Sequence, residues 1–385
     1  MSVAVMIGIL LVLFLINVPI AWALGISSLL TLVIFADVPL VVVAQRMFTG
    51  TDSFTLIAIP FFLLAGELME KAGISDRLIG LSQALVGHLR GGLANVSIGG
   101  SMMFSAVSGS GIAATAAMGK ITIPAMVKRG YDPAFAVSVQ ATAGAMGIII
   151  PPSIVMILYS VISGASVSDM FIGGIIPGVM MGLALMVTGY VISRRRGYPT
   201  ETRVPTAELP MRLLKAVPAL LMPIIILAGI LLGVVTATES AVLAVVYAII
   251  IGVINRKLTW ARMIDALRST AMSTAMIMLI VANAGVFAWV VTSEGLPRML
   301  AQQLAGIADN PLLVLLICGA ILLIAGMFLD TSAALIILIP VMMPLVMMSG
   351  IDPVHFGVAA VVALAIGLAT PPVGLNLFVA AGIAR

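Results

Sequence analysis

The sequence predicts an all-α polytopic membrane protein, organised as an inverted repeat with two re-entrant hairpins and two proline-broken helices. Of its residues, 62% are hydrophobic and only 9% are charged, whereas a soluble domain carries about 25% charged residues. Apolar runs of roughly 20 residues, each long enough to cross a bilayer, recur along the chain. The third observation is an internal repeat, which also predicts where the helices break.

The repeat is carried by glycine, aspartate and proline at one common spacing. The pattern G-x-D-P at 130–133 recurs at 350–353, and G-x-x-x-P-P at 147–152 recurs at 367–372. No gap is needed, and two such patterns do not share one offset by chance. The chain is therefore predicted to contain two copies of one membrane unit, with breaks at equivalent places.

The first copy, residues 1–193, contains a surface arm and a hairpin between its crossings. We predict scaffold helices over 1–70, the arm over 71–91, the hairpin over 92–129, a broken helix over 132–165 and a crossing over 170–193. In the arm, Ile74, Leu78 and Leu81 share one helical face, so the arm should lie along the membrane surface. Each hairpin segment is shorter than the roughly 20 residues of a crossing, which predicts a re-entrant tip at 108–111.

A basic cytoplasmic linker over residues 194–215 separates the copies. In the second copy, residues 216–385, we predict scaffold helices over 217–292, an arm over 294–308, a hairpin over 311–348 and a broken helix over 352–383. Within this scaffold, the basic residues in 255–268 are predicted to lie at the membrane interface. The crossing over 170–193 has no counterpart here, so the last crossing is absent, and we expect a C-terminal truncation or a naturally short form.

Lysine and arginine gather in the segments between apolar runs, which explains the net charge of +4 without a nucleic-acid partner. Placing the linker in the cytoplasm puts five crossings before it and the N-terminus in the periplasm. The basic segments 71–90 and 128–129 then fall in the cytoplasm. An odd number of crossings inverts the second copy, and inverted repeats with broken helices are the plan of secondary transporters.

The breaks predict ion and anion binding. Non-helical backbone survives in a bilayer only when it is buried in protein or lines a wet cavity. Freed carbonyl oxygens suit a small cation such as Na⁺, and freed N–H groups at half-helix N-termini suit a carboxylate. The sequence therefore predicts a secondary transporter of an anion, coupled to a cation.

The candidate site residues lie at the two tips and the two breaks. The predicted ion-binding residues are Ser108, Gly109, Ser110, Gly147, Ile150 and Pro151 for the first copy, and Asp330, Thr331, Ser332, Gly367, Ala369, Thr370 and Pro371 for the second. The predicted substrate-binding residues are Ser110, Gly111, Thr331 and Ser332. We expect each tip to lie beside the break of its own copy.

Four polar residues are interpreted individually. Asp330 is an N-cap of the second hairpin segment, an ion ligand, or both. Lys120 is a functional intramembrane charge or a side chain that snorkels to the interface. Glu67, near the end of its crossing, is interpreted as structural, and His355 as a loop residue rather than a proton carrier.

The sequence argues against an enzyme and against ATP-driven transport. No His or Asp partner stands near Ser108 or Ser110 at helical spacing, and neither H-E-x-x-H nor a Walker motif is present. Cys318 is the single cysteine, which excludes an internal disulfide and a cysteine metal site, and no cofactor or transition metal is expected. The alternatives are an ion channel and a proton-coupled anion transporter that works without a binding protein.

At these motifs the chain resembles the large membrane subunit of tripartite ATP-independent periplasmic (TRAP) transporters. The stretches that carry the resemblance include FSAVSGSGIAATAAMGKITIPAM, TATESAVLAVVY, LDTSAALIILIPVMMPL and GLATPPVGLNLFVAAG. The resemblance implies an elevator-type, Na⁺-driven symporter that imports an organic acid anion, such as a C4-dicarboxylate or a sugar acid, across the bacterial inner membrane. It also implies a small four-helix membrane subunit and a periplasmic substrate-binding protein as partners.

Overall fold

The computed structural model describes residues 2–384, except residues 37, 201, 202, 204, 296–298 and 300–304. The helices before the linker are α1 (Ser2–Leu15), α2 (Ile20–Phe35), α3 (Val41–Thr51), α4 (Ala58–Lys71), α5 (Ile74–Val86), α6 (Gly92–Ser108), α7 (Gly111–Lys128), α8 (Pro133–Ala145), α9 (Ile154–Ser163) and α10 (Val167–Arg195). Those described after it are α11 (Leu209–Leu231), α12 (Ala237–Ile254), α13 (Trp260–Ser293), α14 (Ala305–Ala308), α15 (Pro311–Phe328), α16 (Thr331–Met348), α17 (Pro353–Leu368) and α18 (Leu375–Ala384). Short 3-10 turns lie at Phe54–Ile57, Met146–Ile148 and Thr206–Glu208.

The predicted all-α membrane fold is confirmed. In the described part of the chain, six helices are long and apolar enough to cross a membrane, namely α10, α11, α12, α13, α15 and α16. A seventh candidate is the pair formed by α3 and the segment Phe54–Lys71, which is bent by 63°. The outer faces of these helices carry large exposed apolar side chains, as a protein surrounded by lipid requires.

The repeated G-x-D-P pattern has a direct structural cause. Gly130 (φ +83°) and Gly350 (φ +67°) end the preceding helices in the left-handed conformation, which glycine adopts without a steric penalty. Asp132 and Asp352 then cap α8 and α17, since their Oδ1 atoms accept hydrogen bonds from the N–H groups of the second helical residues at 2.7 and 2.8 Å. The proline that follows each aspartate occupies the first helical position, where its missing N–H costs nothing.

Two sequence predictions differ from the structure, and a third falls largely outside the described residues. Residues 255–268 do not form a separate interfacial segment, because α13 begins at Trp260 and continues unbroken to Ser293. Thr259 starts this helix by accepting a hydrogen bond from the Arg262 N–H at 3.4 Å. The helix α11 begins within the predicted linker, since Pro210 stands in its first turn. Most of the predicted second arm, 294–308, lies outside the described residues.

The helices pack in two groups. In the first group, called the scaffold here, α4 packs on α12, and α13 packs on α2, α3 and α4. In the second group, called the hairpin body, α7 packs on α8, α15 on α17, and α9 on α16. The last described helix, α18, packs on α7 and α8, so elements of the two copies are interleaved within the hairpin body. The helix α6 packs on α7 and α8 and belongs to the hairpin body, whereas α11 packs on α12 of the scaffold. The amphipathic helix α5 contacts both α6 and α11.

Candidate functional site

A cavity of about 510 Å³ lies where the two hairpin tips meet the scaffold. Both tips contribute to its wall, through residues 108–111 and 330–332. The opposite wall comes from α4 and α13, including Glu67, Glu70 and Ser273. The structure therefore brings together two tips that belong to different copies of the repeat, around a space large enough for a small molecule.

The first tip is a two-residue turn between α6 and α7. Gly109 ends α6 with φ +61°, and the Ser110 hydroxyl caps α7 by accepting a hydrogen bond from the Ala113 N–H at 3.4 Å. The Gly109 carbonyl accepts a hydrogen bond from the Ile154 N–H at 3.3 Å, where α9 begins after the break. This bond fixes the tip to the broken helix of its own copy, as the sequence predicts.

Gly147 allows the first break to lie directly against the tip. A Cβ at this position would stand 2.6 Å from the Ser110 carbonyl oxygen, a contact that only glycine avoids. Beyond it, Ser153 closes the break, because its hydroxyl donates to the Ile148 carbonyl at 2.6 Å and accepts from the Met156 N–H at 3.3 Å. The first break is thus buried and hydrogen-bonded through a side chain.

The second tip is capped by its carboxylate. The Asp330 Oδ1 accepts a hydrogen bond from the Ser332 N–H at 2.9 Å, so Asp330 is the N-cap of α16 and also lines the cavity. The second break lies against α15, the helix that leads into the second tip. A Cβ on Gly367 would stand 2.6 Å from the Leu323 carbonyl oxygen, and the Gly374 N–H donates to the Met327 carbonyl at 3.1 Å.

The remaining predicted site residues do not line the cavity. Ile150 contacts Gly178 of α10, and Pro151 is buried. Ala369 and Thr370 are half-buried, with the Thr370 hydroxyl donating to the Ile366 carbonyl at 2.6 Å, and Pro371 is exposed. The tips therefore line the cavity, whereas these break residues do not.

The sequence interpretation misses the acidic wall of the cavity. It gives Glu67 a structural role, but Glu67 lines the cavity together with Glu70, and its Oε1 accepts a hydrogen bond from the Ser269 hydroxyl at 2.9 Å. Two carboxylates three residues apart in an apolar crossing are the available signal, since intramembrane charges mark functional sites by default. No lysine or arginine is among the described residues that line this cavity.

The electrostatic character of the cavity is mixed. Three carboxylates, Glu67, Glu70 and Asp330, contribute negative charge. The N-termini of α7 and α16 both begin at the tips, and helix N-termini carry partial positive charge and free N–H groups. The arrangement can hold cations at oxygen atoms and an anion at the helix N-termini. A cavity of this kind, between paired hairpins in an all-α membrane protein, is typical of the class of secondary transporters.

Comparison with known proteins assigns the family within that class. Residues 7–385 match the family model described as "Tripartite ATP-independent periplasmic transporter, DctM component". The chain therefore belongs to the DctM family, the large permease component of TRAP transporters, which confirms the resemblance seen in the sequence. The family is one of transporter permeases, and the chain is not an enzyme.

Two relatives and one solved structure show the range of similar proteins. The chain is 44% identical over 372 residues to the isethionate TRAP transporter permease protein DctMQ of Oleidesulfovibrio alaskensis, covering 96% of this chain but only 59% of that relative. It is 41% identical over 362 residues to the C4-dicarboxylate TRAP transporter large permease protein DctM of Pseudomonas aeruginosa, covering 94% and 85%. The crystal structure of the Alcanivorax borkumensis YdaH transporter matches with a TM-score of 0.63 at 16% identity, over 89% of this chain and 80% of that one. At that identity the likeness concerns the fold alone.

Proposed function

We propose that this chain is the membrane-spanning permease of a Na⁺-coupled importer of organic acid anions in the bacterial inner membrane. Its partners are a small four-helix membrane subunit and a periplasmic substrate-binding protein that delivers the anion. The relatives support an organic acid as substrate, since their names specify isethionate and C4-dicarboxylate. Both of these molecules are small anions that a cavity of about 510 Å³ can hold.

The negative charge of the cavity is the observation that best supports coupling to a cation. Glu67, Glu70 and Asp330 line a cavity to which no described lysine or arginine contributes. An anionic substrate entering this space meets like charges, which cost energy in a medium of low dielectric. Cations bound at the tips offset that charge, and the N-termini of α7 and α16 then face a carboxylate or sulfonate.

The oxygen atoms at the tips and breaks are suitable ligands for Na⁺. Backbone carbonyl and hydroxyl oxygens are hard ligands, and both breaks interrupt a helix so that carbonyl groups lose their helical partners. At the first tip the donors are Ser108, Gly109 and Ser110, with Gly147, Ile150 and Pro151 of the break. At the second tip they are Asp330, Thr331 and Ser332, with Gly367, Ala369, Thr370 and Pro371 of the break. Ser110, Gly111, Thr331 and Ser332 would also contact the substrate.

The two packing groups support an elevator mechanism. The cavity lies between the scaffold and the hairpin body, whereas each ion site lies within the hairpin body alone. Movement of the body along the membrane normal would therefore carry intact ion sites from one side to the other. The interleaving of α18 with α7 and α8 supports a body that moves as one unit.

Uptake into proteoliposomes tests this function. The chain is reconstituted with its small membrane subunit and supplied with the binding protein loaded with isethionate, C4-dicarboxylates or sugar acids. We expect saturable uptake that requires an inward Na⁺ gradient and fails when choline replaces Na⁺. Uptake driven by a pH gradient without Na⁺ would replace the Na⁺ coupling with proton coupling, and an ohmic current would indicate a channel.

Substitutions at the tips locate the ion sites in the same assay. Ser110→Ala and Thr331→Ala should raise the Na⁺ concentration for half-maximal uptake, because each removes an interaction worth about 1–3 kcal/mol when buried. Ser138→Ala is the matched control. This serine is exposed, and its hydroxyl donates only to the Ala134 carbonyl of its own helix, at 2.7 Å. If both tip variants keep the wild-type Na⁺ dependence, these hydroxyls do not belong to the ion sites.

The inverted topology is tested by cysteine labelling in a Cys318→Ala background. Thr200 in the linker and His355 near the start of α17 are both exposed. We expect Thr200→Cys to react with an impermeant thiol reagent only from the cytoplasm, and His355→Cys only from the periplasm. Reaction of both from one side would contradict the inverted repeat and the periplasmic N-terminus.

A further inference from the structure

Asn376 of α18 is fully buried in the hairpin body and joins the two copies. Its Nδ2 donates a hydrogen bond to the Ala141 carbonyl of α8 at 3.2 Å, across 235 residues of sequence. Its Oδ1 is also buried but has no hydrogen-bond partner. A buried amide oxygen without a partner is costly and calls for an explanation, such as a bound ion or water.

The neighbouring amide of Gln140 shows how the same body satisfies such a group. The Gln140 Oε1 accepts from the Ser97 and Thr122 hydroxyls at 2.5 and 3.0 Å. Its Nε2 donates to the Ser101 hydroxyl at 3.2 Å and to the Ala114 carbonyl at 3.4 Å. The side chains of Gln140 and Asn376 are thus two fully buried amides at the same stretch of α8. Of these two, only the Asn376 amide has an oxygen without a hydrogen-bond partner.

The position of Asn376 indicates what its unpartnered oxygen binds. A Cβ on Gly111, the first residue of α7, would stand 3.5 Å from the Asn376 Nδ2 and 3.3 Å from the Gly144 carbonyl oxygen. The amide therefore lies beneath the first tip, beside the last turn of α8. That turn ends at Ala145, where carbonyl oxygens lose helical partners and the helix dipole is negative. Asn95 also has unpartnered side-chain atoms, but it lies beside Gly189, at the end of α6 away from the tip.

We propose that the Asn376 Oδ1 is a ligand, direct or through one water molecule, of the cation bound at the first tip. This proposal rests on the Na⁺ coupling proposed above and adds a residue of the second copy to the first ion site. Because α18 begins directly after the second break, occupancy of the first site restrains the backbone of the second. Position 156, one repeat earlier, is a methionine, so the connection has no symmetric counterpart.

Two substitutions separate a ligand from a merely structural residue. Asn376→Asp keeps an oxygen at the ligand position but loses the donor to Ala141, whereas Asn376→Leu removes both. We expect Asn376→Leu to raise the Na⁺ concentration for half-maximal thermal stabilisation and uptake on the order of tenfold. It should also lower the Hill coefficient for Na⁺ toward one, because the two sites are uncoupled. Asn376→Asp should keep the Na⁺ concentration for half-maximal effect within about threefold of wild type and leave the Hill coefficient unchanged.

Gln140→Met is the matched control. It removes a buried amide that has all its partners and should lower the melting temperature without changing the Na⁺ dependence. If Asn376→Asp and Asn376→Leu lose stability equally and keep the wild-type Na⁺ dependence, Asn376 only holds α18 in place and the proposal is wrong. Asn376→Ser, which is smaller and keeps an oxygen, replaces the leucine variant if that variant does not fold, with an expected shift between the other two. Absence of Na⁺ dependence in the wild type would instead overturn the coupling itself.

Discussion

The two copies of the repeat share a sequence pattern at their proline breaks but differ in how the breaks are covered. Residues 151–153 of the first break are buried, whereas residues 371–373 of the second are exposed. The helix α10 covers the first break, since Gly174 and Gly178 bring its backbone against Ile149 and Ile150. The first break is therefore covered by a helix of its own copy, whereas residues 371–373 of the second break are exposed in the described part of the chain.

The copies also differ in the scaffold wall of the cavity. The shift that takes 130–133 to 350–353 takes the bent segment 41–71 to 261–291. That range lies within the unbroken α13. The same offset places Phe287 and Val290 at the positions of Glu67 and Glu70. Both carboxylates of the scaffold wall therefore come from the first copy. Both copies therefore contribute a tip to the cavity, but only the first contributes carboxylates from the scaffold.

The largest expected effect is at Gly147. In Gly147→Ala the new methyl group would stand 2.6 Å from the Ser110 carbonyl oxygen, and the buried break has no room to move. We expect a loss of stability of at least about 1–3 kcal/mol and little uptake, measured by thermal melting and proteoliposome transport.

Gly367→Ala is the matched variant in the second copy, where a methyl group meets the Leu323 carbonyl at the same distance. Gly367 is itself buried, but residues 371–373 beyond it are exposed, so the break can shift outward and the loss should be smaller. Gly319→Ala is the neutral control, since nothing lies within 4 Å of its Cβ position. Greater damage from Gly367→Ala than from Gly147→Ala would show that burial does not distinguish the breaks.

A smaller effect is expected from Ser153→Ala. The serine caps α9 and also bonds to the Ile148 carbonyl, so its loss should cost about 1–2 kcal/mol in the melting of the purified protein. The equivalent position in the second copy is Val373, which is 42% exposed. Val373→Ala should change stability by less than about 0.5 kcal/mol, and an equal cost at both positions would contradict the difference between the breaks.

The smallest effect is expected where the copies are alike, at the aspartate caps. Asparagine is an equally good N-cap, so Asp132→Asn and Asp352→Asn should each change stability by no more than about 0.5 kcal/mol. The Asp132 carboxylate is 3.6 Å from Arg196, but this pair is half-exposed and contributes little. Alanine at either position should cost about 1 kcal/mol. If Asp132→Asn cost more than about 1 kcal/mol and Asp352→Asn did not, the ion pair of Asp132 with Arg196 of the linker would contribute to stability.

The repeat allows much of the fold to be predicted, because glycine, aspartate and proline act through local backbone geometry. Gly130, Asp132 and Pro133 end one helix and start the next wherever they occur. The same reasoning places a tip at 108–111 and a carboxylate cap at Asp330. These features depend on residues a few positions apart, and a single sequence shows them directly.

The features that the sequence does not predict depend on packing between distant segments. The continuity of α13 is missed because basic residues near its start suggest an interfacial segment, although one helix can extend from the interface into the membrane. Glu67 is assigned a structural role although Glu70, three residues later, is a local sign of function, because the contact of α4 with the tips depends on distant segments. The contact of α18 with the first hairpin leaves no periodic pattern, since it joins the end of the second copy to the middle of the first.

The hydrogen bond from Asn376 to Ala141 has a consequence for biosynthesis. At a synthesis rate of about 5–20 residues per second, the 235 residues that separate them take roughly 10–50 s to make. During that interval the first hairpin and α8 are in the membrane without the helix that completes their packing. Lipid, the insertion machinery or a chaperone must shield the apolar and polar surfaces that α18 later covers, and separate expression of the two halves should leave the first half exposed to proteases.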